Sequence, residues 1–455
     1  MFINSFLRLS QPVGGYVVLI YCLLFYYFPA LGQYIYFDEI YSIYQRVPLY
    51  IEGLLFVTIS LVLFFVIYLI IRRSSLFIIS HLWCKFSTNF IRIYARYRPI
   101  ILFSYCIFVG YIYSQNLYFN DIRYSSEGIS GIGGLLYLYI FVKALVAFDL
   151  LLLFVFLQLK SFRVKLRSNF LNLLVVALYF LMLGGTADVT LGLLIFGLLV
   201  FGKYVRWFLN ADKNNLLFSI TRNLLFITAT LPVIVLILFL GESIKVGFSV
   251  IDVNIVNFFN VYIDIQNFLL YLLESFSSHL HSLNYSLSRG EIYPLENHLM
   301  IALDSLTYRV VSIINIFGAG IPIEKADIAS TSQFNFLMLT DLWNDNRQGT
   351  SPGVFASFIY LLGIPLGLIF SALYLVLVAR IIDWFLMLHI DNRKYSLIGF
   401  ILILILMSVF FQSPIDLINV IGNAFIFTIT IIFTASFSKY IAIRKNTRKE
   451  NIINF

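Results

Sequence analysis

The chain has 455 residues, 60% of them hydrophobic, 18% aromatic and only 12% charged. A soluble globular domain carries about 25% charged residues, so this composition excludes a water-soluble fold and indicates an integral membrane protein. The formal net charge of +8 does not call for nucleic acid as a partner, because the surplus lies in short loops beside apolar segments, where membrane orientation accounts for it.

A membrane span needs about 20 mostly apolar residues. Ten windows qualify, near 13–31, 51–71, 99–115, 135–158, 169–184, 188–203, 223–241, 354–379, 396–412 and 417–438. The expected fold is therefore an all-α polytopic membrane protein of about ten transmembrane helices (range 10–12). The first window lacks the short apolar core and small-residue cleavage site of a signal peptide, so it is expected to stay as a span. After the second window, Arg92, Arg96 and Arg98 recur at about one helical turn within 72–98, which predicts a basic helix lying on anionic lipid. The fourth window holds Lys143 and Asp149, six residues apart and so on different faces; a partner on another span is the simplest expectation for them. The fifth and sixth windows are short and meet at Gly184-Gly185-Thr186-Ala187-Asp188. Cys22, Cys84 and Cys106 suggest neither a disulfide framework nor a thiol site.

Alternating the ten windows from a cytoplasmic N-terminus places 23 of the 31 Lys and Arg residues on the inside, as the positive-inside rule requires. Both termini are then cytoplasmic and the long polar stretch 241–353 faces outward. That stretch holds eleven of the 23 acids and three of the five histidines, but only five of the 31 cations. No internal repeat and no Pro/Ser-rich or charge-block linker divides the chain, so 1–455 reads as one membrane domain carrying a large, helical outer loop.

Within the loop, Asn254, Asn257, Asn260, Asp264, Asn267 and Glu274 recur at three- and four-residue steps, or multiples of them, among apolar residues. This predicts a helix with one polar stripe. Two placements fit: in the membrane interface, which is the preferred one, or packed on the spans with the stripe toward a hydrated cavity. The stretch 295–317 predicts a second, partly buried helix.

No phosphate-binding glycine loop, HExxH, CxxC pair or GxSxG elbow occurs. His279 and His281 stand two apart without a matched carboxylate pattern and read as loop-surface histidines, so neither a metal nor a cofactor is expected. What remains in the outer loop is Arg289, Glu291, Glu296, His298, Asp304, Arg309, Asp341, Asp345 and Arg347. Arginine's rigid fork of donors suits phosphate and pyrophosphate oxygens. A carboxylate or histidine near a sugar hydroxyl can act as general base. Together these groups suit glycosyl transfer from a lipid pyrophosphate, with guanidinium groups stabilising the leaving group.

The succession of short span, Gly184-Gly185-Thr186, second short span, long outer loop, Ser351-Pro352-Gly353-Val354 and Gly363-Ile364-Pro365-Leu366-Gly367 resembles the O-antigen polymerases of the Wzy type. The segment 288–297, Ser-Arg-Gly-Glu-Ile-Tyr-Pro-Leu-Glu-Asn, is similar to the Arg-then-Pro-x-Glu-Asn stretch of the enterobacterial common antigen branch, and Arg309 with Gly320 fits the family's Arg-x10-Gly pattern. Where the family commonly continues Gly-Gly-Thr with Arg, this chain has Ala187-Asp188, which shifts the expected pyrophosphate role to Arg289, Arg309 and Arg347.

The resemblance implies a glycosyltransferase of the bacterial inner membrane. Its donor is the growing glycan on undecaprenyl pyrophosphate and its acceptor an incoming lipid-linked repeat. Arg289 and Arg309 would hold pyrophosphate, Arg347 and Asp345 would orient substrate, and Glu296 or His298 would serve as base. A chain-length regulator, a repeat-unit flippase and the bilayer itself are the expected partners. The alternatives are an O-antigen ligase, which shares spans and a long outer loop, and a repeat-unit flippase or transporter.

Overall fold

The structure is a computed structural model that describes residues 13–35, 51–71, 81–114, 169–182, 265–289, 331–340 and 351–390, with single positions between 142 and 150, between 300 and 322 and between 410 and 414. Nearly all of these residues are helical, and no strand occurs among them. Among the described residues, three helices are long and apolar enough to cross a membrane: Gly14–Ile35, Ile51–Ile71 and Gly353–Asp383. They correspond to the first, second and eighth expected windows. Windows 188–203, 223–241 and 417–438 lie outside the described residues, as do the Gly184–Asp188 turn and the polar positions Asn254 to Asp264.

The first span is one rod of three parts: α1 (Val13–Cys22), a single π-helical turn (Leu23–Tyr27) and α2 (Phe28–Ile35). The wide turn sits where Pro29 lacks the N–H that would bond to the carbonyl of Phe25. The Phe28 N–H instead donates to Leu23 five residues back. Next come α3 (Ile51–Ile71) and α4 (His81–Ser114). After them follow α5 (Asn169–Leu181), α6 (Ile265–Arg289), α7 (Thr331–Thr340) and α8 (Gly353–Ile390). The last is two helices joined at Gly363, whose φ of 74° and ψ of 175° break the helical path just before Pro365.

One carboxylate joins three of these helices at a single end. Asp383 on α8 accepts the Gly14 N–H at 2.8 Å and the Tyr68 hydroxyl at 2.6 Å. The Gly14 donor is an orphan N–H of the first turn, and an acid there also opposes the helix dipole. A side chain at Gly14 would collide with the Ala379 backbone, so α1 and α8 approach almost backbone to backbone. With Tyr26 and Phe56 both packing on Phe355 at the other end, α3 and α8 run parallel to each other and antiparallel to the first rod. Large apolar side chains on the outer flanks, such as Ile59, Val62, Ile70 and Ile369, stay exposed, as suits a surface solvated by lipid.

A second joint corrects the expectation of a lipid-facing basic helix at 72–98 for one of its residues, Arg98. The helix α4 continues through Pro99 into the third window, and Arg98 is buried within it. Its Nε donates to both oxygens of Asp149 at 2.9 and 3.0 Å, and its Nη2 lies 2.9 Å from Oδ1. Tyr94 donates its hydroxyl to the same carboxylate at 2.8 Å. The reason lies in helix geometry: residues two apart sit roughly 200° apart around the axis, so Arg98 faces away from Arg96. Arg96 is exposed, with its guanidinium 5.8 Å from the Tyr97 ring. Asp149, in an apolar window, thus has its partner on another helix, as the sequence led us to expect.

Removing one member of a buried ion pair strands the other charge. Arg98→Met is therefore expected to lower stability by about 3–5 kcal/mol, while Arg98→Met combined with Asp149→Leu recovers most of the loss. Thermal melts of the two variants in lipid nanodiscs check this; equal melting temperatures would count against a buried pair.

Candidate functional site

At the end of the bundle opposite Asp383, α6 packs against the π turn, α2, α3, α7 and the start of α8. Between Glu274 and Arg289 it carries no charged residue, only Ser, His, Asn, Tyr, Phe and Leu. Its Ser277, His279, Leu280, His281, Ser282, Leu283, Asn284 and Ser286 are all buried. Over these residues the helix is enclosed on more than one side, which corrects one expectation: His279 and His281 are interior residues, not loop-surface ones. Of the polar stripe expected from Asn254 to Glu274, only Asn267 and Glu274 fall on this helix, and their side chains lie outside what is described. A run of fourteen uncharged residues can be enclosed at modest cost, provided its hydroxyls and amides find partners.

His279 sits in an aromatic box made by the π turn and Tyr21 of α1. The Phe25 ring stacks on the imidazole at a centroid distance of 4.7 Å, with Tyr21 at 5.9 Å and Tyr26 at 6.2 Å. The Tyr21 hydroxyl lies 3.2 Å from His279 Nδ1 and donates to the Phe411 carbonyl at 3.1 Å. A carbonyl only accepts, so the Tyr21 proton goes to it and His279 donates from Nδ1, leaving the lone pair on Nε2. The neighbouring Phe410 carbonyl, whose usual donor four residues on is replaced by Pro414, accepts the Tyr374 hydroxyl at 3.0 Å.

Gly353, from the Ser-Pro-Gly-Val motif, opens α8 directly against this box. Its φ of 71° lies in the left-handed region, and a Cβ there would stand 2.6 Å from the Tyr26 hydroxyl and 2.9 Å from His279 Cγ. Both facts demand glycine. Ser357 then ties back to the Gly353 carbonyl at 2.6 Å.

On another side of α6 a second network is closed. Asn335 of α7 donates to Ser282 Oγ at 2.9 Å and accepts the Tyr360 hydroxyl at 3.0 Å, and Ser282 donates to the Ser278 carbonyl at 2.8 Å. A third group is left open. Gln33 Nε2 meets His281 Nε2 at 3.4 Å, but Gln33 Oε1, His281 Nδ1 and both polar atoms of the Asn284 side chain are buried with no hydrogen-bond partner among the described residues. Each such orphan costs about 1–3 kcal/mol.

Of the residues expected to carry chemistry, Arg289 is the last residue of α6, exposed, with its guanidinium 4.8 Å from the Tyr285 ring. Asp304 is exposed on a helical stretch. Glu291, Glu296, His298, Arg309, Asp341, Asp345 and Arg347 lie outside the described residues. The stretch 295–317 is helical where it is described, but Met300, Leu303, Val310 and Ile314 are exposed there, so these positions are less buried than expected. Gly320 has a φ of 60°, and the Asn315 side chain exchanges two hydrogen bonds with the Ile321 backbone at 2.8 and 2.9 Å. In the Arg-x10-Gly pair, then, the glycine makes a turn. The sequence reading missed the buried set His279, His281, Gln33 and Asn284; the signal that pointed to it was the uncharged run between Glu274 and Arg289.

Burial pushes the His279 imidazole down to about 3 and that of His281 down to about 4, so both are neutral in the folded protein at neutral pH. A histidine whose pKa is lower folded than unfolded stabilises the fold fully above its ordinary value of about 6.5, and that stability is lost as pH falls toward 3. Melting temperature in nanodiscs is expected to fall as pH drops from 7 to 4, and the double substitution His279→Gln and His281→Gln to flatten the profile. An unchanged slope in the double variant would place the acid sensitivity elsewhere. No protein-family model, curated protein or solved structure matches the chain.

Proposed function

We propose that this chain is a Wzy-type polysaccharide polymerase of the bacterial inner membrane, with about ten spans, cytoplasmic termini and the 241–353 loop on the periplasmic side. The observation that supports this reading best is the seating of α6. A helix from the polar loop is built into the ends of three apolar helices, buries neutral polar groups there and ends on the exposed Arg289. A lipid-linked sugar substrate needs that combination: apolar walls for a polyprenyl tail, a cation for its pyrophosphate and neutral polar groups for its sugars.

In the reaction, the hydroxyl of the incoming repeat attacks the anomeric carbon of the growing chain. A glycosidic C–O bond forms, the C–O bond to pyrophosphate breaks, and the leaving pyrophosphate takes the electron pair. The acceptor proton passes to Glu296 or His298, while Arg289 and Arg309 stabilise the charge developing on pyrophosphate. Arg347 and Asp345 orient the glycan.

In vitro polymerisation of the cognate lipid-linked repeat tests the reading. Arg289→Ala is expected to lower turnover roughly 10²-fold, and Arg289→Lys to restore part of it, since charge returns without the fork. Glu296→Ala, if Glu296 is the base, costs roughly 10²-fold or more. Full activity in Arg289→Ala, Arg309→Ala and Glu296→Ala together would remove this site. In cells, loss of a polymerase leaves lipid A core capped by one repeat, whereas loss of a ligase leaves it bare; an intact polymer ladder after deletion would sink both.

A further inference from the structure

We infer that Gln33, His281 and Asn284 form a subsite for a neutral polyhydroxyl group, a sugar ring of the glycan, one to two turns along α6 from Arg289. The inference deepens the polymerase reading and rests on it for the identity of the sugar. His281 and Asn284 are three residues apart and so share a face of α6. Gln33 of α2 reaches His281, and Asn284 lies against Gly53 of α3, where a Cβ would collide with its Oδ1. All three side chains are at least nine-tenths buried, at 7%, 2% and 0% exposure.

The unmet capacity is mixed. Gln33 Oε1 and Asn284 Oδ1 accept and Asn284 Nδ2 donates; because the Gln33 amide can only donate to His281 Nε2, the neutral imidazole carries its proton on Nδ1, which also donates. A phosphate or carboxylate would call for donors only, and an ammonium for acceptors only. A hydroxyl both donates and accepts, and vicinal hydroxyls of one ring can meet several such atoms at once. None of the three side chains bears a charge, since burial keeps His281 neutral, so the cluster suits an uncharged ligand. Arg289 lies five residues beyond Asn284, roughly 7.5 Å along the helix. One helix thus orders a neutral site and a cationic site in series, as the sugar and pyrophosphate of one substrate are ordered.

The full-length protein in lipid nanodiscs provides the test. Two probes are used: the oligosaccharide repeat released by mild acid from the lipid-linked pool of the source cells, and inorganic pyrophosphate. The oligosaccharide is expected to raise the melting temperature of the wild type. Its apparent Kd should rise at least tenfold in Asn284→Leu and in His281→Phe, with the pyrophosphate response unchanged. Because Asn284→Leu removes orphaned groups from the interior, the unliganded variant should melt at or above the wild type. That gain distinguishes lost binding from misfolding.

The subsite is refuted if the wild type gives no oligosaccharide shift or if both variants keep the wild-type Kd. It is also refuted if unliganded Asn284→Leu melts below the wild type, since the amide would then be satisfied by enclosed water and serve the fold. The polymerase reading fails separately. Oligosaccharide binding lost in the variants, with no polymer from the wild type, keeps the subsite and removes the polymerase. Polymer made by the variants with unchanged KM for the repeat does the reverse.

Discussion

Glycines on three different helices allow α6 to lie against the bundle, and the rest of the site depends on that contact. Any side chain at Gly32 would meet Leu273, at Gly53 it would meet Asn284, and at Gly353 it would meet Tyr26 and His279. Close approach of this kind is how helices pack where lipid offers no hydrophobic drive to association and contact must come from van der Waals fit and hydrogen bonds. With α6 seated, its uncharged polar residues become interior groups and its C-terminal Arg289 stays at the surface.

The same solvent logic explains how polar groups are handled elsewhere. In an apolar surrounding every donor and acceptor needs a partner inside the protein. The Phe410 carbonyl, freed by Pro414, takes the Tyr374 hydroxyl, and the Gly14 N–H at a helix start takes Asp383. Asp149 takes Arg98 and Tyr94. Ser60 and Ser371 each bury one hydroxyl with no partner among the described residues, whereas Gln33, His281 and Asn284 bring four such atoms together on facing helices, which is why the ligand proposal falls there. The aromatic box around His279 is the contrasting case: one imidazole nitrogen is held by Tyr21 and the ring faces are filled by Phe25 and its neighbours.

Much of the scaffold was legible in the residues because the periodicities that build it are local. Long apolar runs mark Ile51–Ile71 and Gly353–Asp383 as helices of spanning length, since length and hydropathy alone decide whether a segment suits a bilayer. A helix in the polar loop was legible too, and Ile265–Arg289 is one. The burial of its 277–286 stretch was not, because an uncharged polar run suits an exposed helix and a buried polar site equally well. The reading that set Arg98 on one basic face with Arg92 and Arg96 went astray at Arg98 for a related reason: only the fold assigns it to Asp149.

By itself, then, the sequence determined the helical, strongly apolar character of the described chain and the helices long enough to cross a membrane, because these follow from composition and short-range pattern. Only the tertiary structure decided which polar groups lie inside. The uncharged run around His279 and His281 allows them to be enclosed but does not require it. They are interior because residues about 250 positions away, Tyr21 and Gln33, meet them across the bundle.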